Sequence, residues 1–506
     1  MVQSQERSRE ALVEGRPGML SGQRAPGEIL APSFRDPGGC LFSAEGRILR
    51  IVHGSAVADL NAFLGSETAQ KFEAGGRVVR TRFLGGDEKS HLLASLTVAN
   101  RFGNSDMETI LEHERLPFLN FAYEWPPEML YAAGELTLDL AEESLKEGLG
   151  IKDATPYNIV FRGAEPVFVD VLSFERRDPN DATWLPYAQF VRTFLLPLAA
   201  NRHFGMSPDQ ILLARRDGLE PEEVYHWLKP LRKVLPPFLT LVSIPTWLAA
   251  VHNQSDRTIY QKKSGGDAKL ARFILESLFR RLRRTLSDLA PKAGRSSPWS
   301  DYGISNGNYT QKQLAAKRAF VKCAVTEFTP KTVLDVGCNA GLFSEIAAKQ
   351  GATVVAMDCD PVVVGKLWRS ARSQRLDILP LVVNFTRPSP GTGWRNRECC
   401  AFLERAGGAF DAVLMLAVIH HMLVTERVPL PDILALASEL TADLLIIEYV
   451  GPDDPMFQRL TRGRDRLYND LTREGFESVC GRHFQVVRRE QLECSGRYLY
   501  VLRKRI

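Results

Sequence analysis

Two glycines and an acidic residue stand at spacings that suit the binding of a nucleotide-like ligand. Residues 333–344 read V-L-D-V-G-C-N-A-G-L-F-S, which predicts a buried strand, a turn carrying Gly337 and Gly341, and then a helix. Glycine lets the backbone of such a turn approach a ligand closely and adopt positive φ angles. A second predicted strand, 353–358, ends in Asp358, 21 positions after Gly337. A carboxylate there accepts hydrogen bonds from both hydroxyls of a ribose, each contributing roughly 1.5–3 kcal/mol.

This spacing departs from the dinucleotide fingerprint, because no third glycine follows in register. The segment from Asp335 to Gly341 instead matches the pattern E/D-x-G-x-x-x-G and resembles the class I S-adenosylmethionine-dependent methyltransferases. Their cofactor has no pyrophosphate, but it offers a ribose diol and an ammonium group. The resemblance implies that Asp335, Gly337, Asn339, Gly341 and Asp358 bind S-adenosyl-L-methionine. The alternative is an ordinary βαβ unit whose glycine turn serves packing alone.

The chain after this turn alternates between predicted strands and helices. This alternation predicts an α/β fold, namely a Rossmann-like doubly wound sheet that binds its ligand at the carboxyl ends of the strands. In the class I methyltransferases that this segment resembles, an acid or amide at the end of the third strand often contacts the adenine edge. The resemblance implies that role for Asn384. The strands are expected at Ile378–Phe385, Ala409–His421 and Leu444–Tyr449, with an antiparallel edge from Phe484–Val487 and Tyr498–Leu502.

Two neighbouring histidines are the candidates for catalysis. Methyl transfer to oxygen or nitrogen requires alignment of the nucleophile and removal of its proton. His420 and His421 follow the fourth predicted strand, and a histidine with a pKa near neutrality suits a general base. The alternative is that one of them caps the following loop or packs against it. Further candidates are Glu448 and Tyr449 for substrate contact, and Tyr302 or Tyr309 for a lid over the cofactor.

A second group of polar residues lies in the N-terminal half. Residues 152–175 read K-D-A-T-P-Y-N-I-V-F-R-G-A-E-P-V-F-V-D-V-L-S-F-E, a loop and a predicted hairpin around Arg162-Gly163. The D-x-x-P-x-N pattern with a later acid resembles the catalytic segment of the kinase-like fold of small-molecule phosphotransferases. The resemblance implies that Asp153 is the base and that Asn158 and Asp170 hold Mg²⁺ against ATP phosphates.

Several features of the kinase-like fold are missing from this sequence. No histidine precedes Asp153, Asp170 is followed by Val171-Leu172, and no glycine-rich phosphate loop is evident near the start. Three interpretations remain: an active phosphotransferase using ATP and Mg²⁺, a kinase-like domain used for recognition or scaffolding, and a coincidental loop and hairpin. The order of elements, strands before helices, favours a kinase-like fold. The strand hairpins are expected at Leu41–Val52 and Gly75–Leu84, and the helices at Met129–Lys146, Trp184–Ala200 and Pro221–Lys233.

Length and composition limit the class of protein. With 506 residues, 44% hydrophobic and 25% charged, the chain is long enough for two or three globular domains. The net charge of +4 gives no reason to expect nucleic acid as a partner. Eight cysteines without a C-x-x-C pair or metal-ligand spacing indicate free thiols in a reducing cytoplasm and no metal site. No apolar signal core is evident, and the apolar window Phe238–Val251 is short for a membrane span, so a cytoplasmic protein is expected.

The sequence predicts four segments. These are a disordered tail over 1–32, an α+β, kinase-like domain over 33–250, a helical linker over 251–298 and a methyltransferase domain over 299–506. The linker contains a basic amphipathic helix, Ala271–Leu289, which either packs on a neighbouring domain or lies on an anionic membrane.

The whole chain resembles bacterial proteins that join such an N-terminal region to a class I methyltransferase, some of them of the nodulation type. This resemblance implies an S-adenosylmethionine-dependent methyltransferase acting on a small molecule or conjugated metabolite, with the N-terminal domain used for recognition or scaffolding. One alternative is a non-catalytic cofactor-binding protein. The other is a small-molecule kinase using Asp153, Asn158 and Asp170 with an accessory methyltransferase half. The pattern predicts neither the acceptor atom nor the oligomeric state.

Overall fold

A computed structural model describes residues 36–95, 109–251, 267–300, 309–468 and 470–505. The predicted tail over 1–32 and Tyr302 lie outside these residues. An N-terminal α+β region is followed along the chain by a C-terminal α/β region, and buried apolar residues of both regions join one continuous core. None of the helices that the structure describes is long and apolar enough to cross a membrane.

The N-terminal region begins with an antiparallel sheet. Its strands are β1 (Gly39–Ala44), β2 (Arg47–Val52), β3 (Thr81–Phe83) and β4 (Thr109–His113), in the order β1-β2-β4-β3, with helices α1 (Gly54–Leu64), α2 (Glu67–Ala74) and α3 (Gly86–Ser95) between them. The predicted hairpin at Leu41–Val52 is confirmed, because β1 pairs with β2 along its whole length. The predicted hairpin at Gly75–Leu84 is wrong. Gly75 ends α2 by donating its N–H to the Lys71 carbonyl, so the segment is a helix end that leads into one short strand.

The rest of the N-terminal region packs around one long helix, α4 (Pro127–Lys146), which begins with proline at its first position and confirms the helix predicted there. The predicted hairpin around Arg162-Gly163 is also confirmed, since β6 (Ile159–Arg162) pairs with β7 (Glu165–Phe168). The remaining elements are β5 (Leu149–Ile151), β8 (Phe174–Arg176), α5 (Tyr187–Phe190), α6 (Leu196–Phe204), α7 (Pro208–Leu212), α8 (Pro221–Trp227), α9 (Pro230–Lys233), α10 (Ile244–Val251) and α11 (Ala268–Asp288).

Two predicted helices are interrupted in the structure. The helix expected at Trp184–Ala200 consists of α5 and α6 joined by a π-helical turn at Val191–Leu195. The helix expected at Pro221–Lys233 breaks after Trp227, because Pro230 lacks an N–H donor and disfavours helical geometry in the residue before it.

The C-terminal region is built on a seven-stranded sheet. Its strands are β9 (Thr332–Val336), β10 (Thr353–Asp358), β11 (Ile378–Val382), β12 (Phe410–Met415), β13 (Thr441–Val450), β14 (Phe484–Gln491) and β15 (Arg497–Lys504). The order is β11-β10-β9-β12-β13-β15-β14. The first five strands are parallel, whereas β15 is antiparallel to both of its neighbours. The predicted doubly wound sheet with an antiparallel edge is therefore confirmed.

Helices cover both faces of this sheet, so the central strands are almost continuously apolar. They are α12 (Gln311–Phe328), α13 (Leu342–Lys349), α14 (Pro361–Gln374), α15 (Phe402–Ala406), α16 (Ile419–Val424), α17 (Leu430–Leu440), α18 (Pro455–Thr461) and α19 (Arg473–Cys480). The predicted strand Ala409–His421 is too long. Strand β12 ends at Met415, Ala417 takes a left-handed φ of 58°, and the chain then enters α16.

Helix α11, which was expected in a linker, packs against α4. The Phe279 ring meets the Trp184 ring edge-on with centroids 5.1 Å apart, and Leu286 lies against Gly134 of α4. On its polar side, Arg283 pairs with Asp139 at 2.8 Å. From Leu275 to Leu286 the apolar stripe of this helix is thus buried, as the packing interpretation predicts, whereas Phe273 near its start stays 61% exposed.

Candidate functional site

The turn between β9 and α13 lies at the carboxyl edge of the sheet. Its backbone has left-handed φ angles of 70° at Gly337, 51° at Asn339 and 86° at Gly341. A Cβ atom added to Gly337 would lie 2.2 Å from Cγ1 of Val418, and one added to Gly341 would lie 2.1 Å from Cδ1 of Leu367. Both positions therefore require glycine for two reasons, backbone conformation and packing.

Asp335 is enclosed beneath this turn. Its carboxylate accepts a hydrogen bond of 2.6 Å from the Ser344 hydroxyl in the first half of α13, and burial raises its pKa to about 6. Asp335 thus joins strand β9 to helix α13 and supports the turn from below. The direct contact with a cofactor that the sequence pattern implies for Asp335 stays a prediction.

Asp358 ends β10 beside the same turn. Its two carboxylate oxygens accept hydrogen bonds of 3.0 Å from the backbone N–H groups of Asn339 and Asp360. Burial raises the pKa of Asp358, and the hydrogen bonds from these amides act in the opposite direction. The Asn339 side chain in turn donates to the Trp299 carbonyl at 2.9 Å. The structure therefore brings the glycine turn and the acid of the second strand together, as the sequence predicts.

Asn384 lies two residues beyond β11, at the same edge of the sheet. Its side-chain oxygen accepts hydrogen bonds from the backbone N–H of Thr386 at 2.9 Å and from the Thr386 hydroxyl at 2.7 Å. These bonds form an Asx turn that fixes the start of the loop after β11. The predicted adenine contact of Asn384 stays a prediction.

The paired histidines belong to the short helix α16. His420 is fully buried, and neither of its ring nitrogens has a hydrogen-bond partner among the described residues. Burial holds the pKa of His420 well below its ordinary value, and positive charges on Arg497 and Lys317 add to this effect. Burial and Arg497 also lower the pKa of His421 to about 4. The predicted pKa near neutrality is therefore wrong for both residues, because the site is enclosed and its nearest charges are positive.

A buried network of charges explains those positive neighbours. Glu448, fully buried on β13, pairs with Lys317 of α12 at 2.6 Å and with Arg497 of β15 at 3.4 Å. Arg497 also binds Asp454 through two bonds of 2.7 and 3.0 Å. The Tyr309 hydroxyl donates to Glu448 at 2.7 Å, and the centroid of its ring lies 4.6 Å from the Lys317 ammonium and 4.5 Å from the Arg497 guanidinium. The network holds α12 and Tyr309 against the ends of β13 and β15.

This network corrects two of the secondary predictions. Glu448 cannot contact a substrate here because its carboxylate is enclosed and bound to two cations. Tyr449 is also buried, and its hydroxyl donates to the Leu471 carbonyl at 2.7 Å. Sequence reasoning misses Lys317, although it falls on the helical stripe formed by the buried residues of α12, and a lysine on an apolar stripe is a signal of a buried pair.

The three polar residues singled out in the N-terminal half also lie together. Asn158 donates to the Asp153 carbonyl at 3.3 Å and to the Ser173 hydroxyl at 3.0 Å, and Ser173 donates to Asp170 at 2.6 Å. The other Asp170 oxygen accepts from Arg50 of β2 at 2.5 Å. Burial and the charge of Asp170 raise the pKa of Asp153.

Arg50 is the neighbour that this sequence pattern does not predict. Burial opposes ionisation of Asp170, but the charge of Arg50 and the hydrogen bonds from Ser173 and Arg50 outweigh it and lower the Asp170 pKa. A guanidinium thus neutralises the carboxylate that the kinase resemblance assigns to Mg²⁺. Among the described residues, no group of three or more His, Cys, Asp and Glu side chains is arranged to hold a metal ion.

The carboxyl edge of the sheet therefore presents a glycine turn, a carboxylate beside it and two neutral histidines, of which His420 is enclosed and His421 partly buried. These features suit a ligand with a hydroxyl-bearing ring, and the C-terminal sequence agrees with them. Residues 274–494 match the family model described as a methyltransferase domain. The prediction of a methyltransferase domain in the C-terminal half is thus confirmed.

Individual proteins resemble the chain over different lengths. The nodulation protein NoeA of Rhizobium meliloti (strain 1021) is 29% identical over 484 residues, which are 95% of this chain and 96% of that protein. The ubiquinone biosynthesis O-methyltransferase of Caulobacter vibrioides is 28% identical over 129 residues, 26% of this chain and 46% of that protein. Among solved structures, the N-methyltransferase NodS from Bradyrhizobium japonicum WM9 is 14% identical, with a TM-score of 0.29, over 39% of this chain and 98% of that chain.

These comparisons cover the two halves of the chain unequally. The family model begins inside α11, so it includes part of the predicted linker and none of the preceding region. The likeness to NoeA extends through both halves. The kinase-like fold of the N-terminal region stays a prediction, and so do the bounds of the four predicted segments.

Proposed function

We propose that this chain transfers a methyl group from S-adenosyl-L-methionine to an oxygen or nitrogen atom of a small molecule or conjugated metabolite. The observation that carries the proposal is the position of Asp358 beside the glycine turn. A carboxylate offers about four lone-pair sites, and two of them accept the Asn339 and Asp360 amides. Each carboxylate oxygen can accept more than one hydrogen bond, so Asp358 keeps acceptor capacity for a ribose hydroxyl and the residues present fit the proposed cofactor.

The bound cofactor would supply an electrophilic methyl group. Gly337 and Gly341 would leave room for it along the turn, Asp358 would accept its ribose hydroxyls, and Asn384 would meet its adenine. Asp335 would act through Ser344, by fixing the start of α13.

We assign removal of the acceptor's proton to His421 rather than to His420. His421 is only partly buried and lies edge-on to Trp299 with ring centroids 5.2 Å apart, whereas His420 is enclosed on all sides. The lowered pKa keeps His421 neutral at pH 7, so its ring can accept a proton. We expect His421→Gln to reduce methyl transfer about 10²–10⁴-fold while S-adenosylhomocysteine affinity is unchanged.

Calorimetric titration of S-adenosylhomocysteine tests the cofactor site. We expect Asp358→Asn to weaken binding roughly ten- to hundred-fold, because it loses a charge-assisted acceptor contributing roughly 1.5–3 kcal/mol. The matched control is Asp411→Asn. Asp411 also accepts two backbone amides, from Lys331 and Thr332 at 2.7 and 3.1 Å, but it lies at the opposite edge of the sheet.

The two variants separate binding from folding. If both weaken the affinity equally, the loss reflects stability and the assignment of Asp358 fails. If the wild-type protein does not bind S-adenosylhomocysteine, the glycine turn is structural only and the chain is not a methyltransferase. Binding without S-adenosylhomocysteine formation from any acceptor favours the non-catalytic alternative.

We propose in addition that the N-terminal region serves recognition or scaffolding rather than phosphoryl transfer. The supporting observation is the ion pair between Arg50 and Asp170, which places a cation where a kinase would need Mg²⁺. We expect no rise in melting temperature with millimolar ATP and Mg²⁺. A rise that Asp170→Ala abolishes, together with ATP turnover, would favour the kinase alternative using Asp153, Asn158 and Asp170.

A further inference from the structure

A cavity lies beside α16 at the carboxyl edge of the sheet. It has a volume of about 460 Å³ and is bounded by the end of α16, the turn before α17, the end of α18 and the residues that follow α18. A second cavity of about 390 Å³ shares Leu460, Thr461 and Arg464 with the first. Because the two cavities adjoin at these shared residues, we treat them together and call them the α16–α18 hollow.

Four arginines give the α16–α18 hollow a strong positive charge. Arg427 and Arg464 line the larger part, and Arg459 and Arg462 join Arg464 around the smaller part. No aspartate or glutamate is among the described lining residues of either part. Glu426, the acid next to Arg427 in the chain, is turned towards Arg387 at 3.5 Å.

These arginines also differ from most others in the molecule. Elsewhere arginines repeatedly pair with carboxylates, both within and between the two halves. Within the described residues none of the four has a carboxylate at ion-pair distance, and Arg459 donates to the sulfur of Met456 at 3.6 Å. Four guanidinium groups around one hollow repel each other and favour an anion between them.

Apolar side chains line the hollow as well. They come from α16, the following turn and α18, and include Leu423, Val428 and Leu460. A ligand that fits the hollow therefore combines an anionic group with an apolar part, since the lining offers complementary groups to each.

The hollow lies next to the proposed methyl-transfer site. Val424, on its wall, is four residues after His420 and three after His421 on the same helix. One helical turn rises about 5.4 Å, so the hollow begins roughly one turn from the histidines. The predicted cofactor residues follow β9, β10 and β11, whereas the hollow follows β12 and β13, their neighbours at the same edge of the sheet.

We propose that the α16–α18 hollow is the acceptor site and that the acceptor carries an oxyanion group, such as carboxylate, sulfate or phosphate, on an apolar body. This inference deepens the proposed function and rests on it. The guanidinium groups bind the oxyanion through paired N–H donors and orient the apolar body along α16, towards His421.

Calorimetry with 1-naphthyl phosphate tests the site, in the full-length protein saturated with S-adenosylhomocysteine so that the cofactor site is occupied. We expect binding that is at least tenfold tighter than binding of 1-naphthol, which has the same ring without the charge. The double variant Arg427→Gln/Arg464→Gln is expected to lose at least tenfold in affinity for the phosphate. The control is Arg482→Gln, an exposed arginine before β14 at the far edge of the sheet.

Each other outcome overturns the inference. Equal affinity for naphthol and its phosphate removes the anionic preference, and equal losses in the double variant and in Arg482→Gln remove the site. Binding of phosphatidylglycerol vesicles but not of 1-naphthyl phosphate, abolished in the double variant, would make the hollow part of a membrane-facing surface. S-adenosylhomocysteine affinity is measured in parallel. If the wild type does not bind it, the proposed function is refuted instead. If the double variant binds it as the wild type does, the variant is folded.

Discussion

Among the contacts that join the two halves of the chain, one ion pair is almost fully buried, and it gives a quantitative prediction. Arg405 of α15 pairs with Glu124, and their side chains are 6% and 0% exposed. One further bond joins the Arg405 and Glu124 side chains at 3.1 Å, and Arg405 also donates to the Leu119 carbonyl. The guanidinium lies 4.9 Å from the Phe121 ring centroid. The Arg405 guanidinium of the C-terminal region is thus enclosed by aromatic and polar groups of the N-terminal region.

We expect Arg405→Met to reduce the free energy of unfolding by about 3–5 kcal/mol. Methionine keeps much of the side-chain volume, so the loss comes from the carboxylate of Glu124. That carboxylate would stay buried without its cation, with the Phe121 amide donating to it at 3.1 Å. Adding Glu124→Gln should recover part of the loss, because a neutral amide costs less to bury than an unpaired charge.

The assay is urea denaturation followed by tryptophan fluorescence and by far-UV circular dichroism. Trp125 is a suitable reporter because it is fully buried next to Glu124 and donates to Asn120 at 2.8 Å. The matched control is Arg372→Met. Its partner Glu165 also lies across the two halves, but these side chains are 42% and 58% exposed, so we expect a loss of about 0–1 kcal/mol.

The reasoning is refuted if Arg405→Met and Arg372→Met cost the same, or if the Arg405 variant loses less than about 1 kcal/mol. It is also refuted if the variant that combines Arg405→Met with Glu124→Gln is destabilised by the sum of the losses measured for these two changes alone. Additive losses would mean that Arg405 and Glu124 do not interact in solution.

Two further predictions concern the candidate site. In urea denaturation, Gly341→Ala should lower the free energy of unfolding by about 1–3 kcal/mol more than Gly351→Ala. Both glycines have positive φ, but only at Gly341 would an added Cβ meet a neighbour, Leu367. Equal losses would contradict this. When the pH is lowered from 7 to 4, the free energy of unfolding should fall by about 2–3 kcal/mol more in the wild type than in His421→Gln. His421 titrates near its ordinary pKa when unfolded but only near 4 when folded, so protons favour the unfolded chain; parallel pH profiles would contradict it.

Sequence reasoning finds the parts of this fold that local chemistry determines. The glycine turn after β9 is visible because only glycine tolerates φ of 70° and 86° beside Val418 and Leu367. The acid at the end of β10 is visible because it directly follows a run of buried apolar residues. Strand positions are found for the same reason, since strands buried on both faces form continuous apolar runs.

The same reasoning fails where apolar residues continue past a strand. Nothing in L-A-V-I-H-H distinguishes a strand from a buried helix, and the left-handed Ala417 that separates β12 from α16 has no local signal. The histidine pKa values are missed because they depend on burial and on Arg497, which lies 76 positions further along the chain. Arg50 is missed for the same reason, since its pairing with Asp170 joins residues 120 positions apart.

The buried charges at the end of β13 connect these observations. Two cations, Lys317 and Arg497, face two anions, Glu448 and Asp454, so the network is balanced without any other charge. A protonated His420 would add a third positive charge in an enclosed space, which explains why burial and the two cations together keep it neutral. The network therefore has a consequence for the site as well as for stability. Burial keeps the neighbouring histidines uncharged, and the cations of the network add to this effect. The arginines of the α16–α18 hollow, one helical turn from His421, are then the positive groups available to an anionic acceptor.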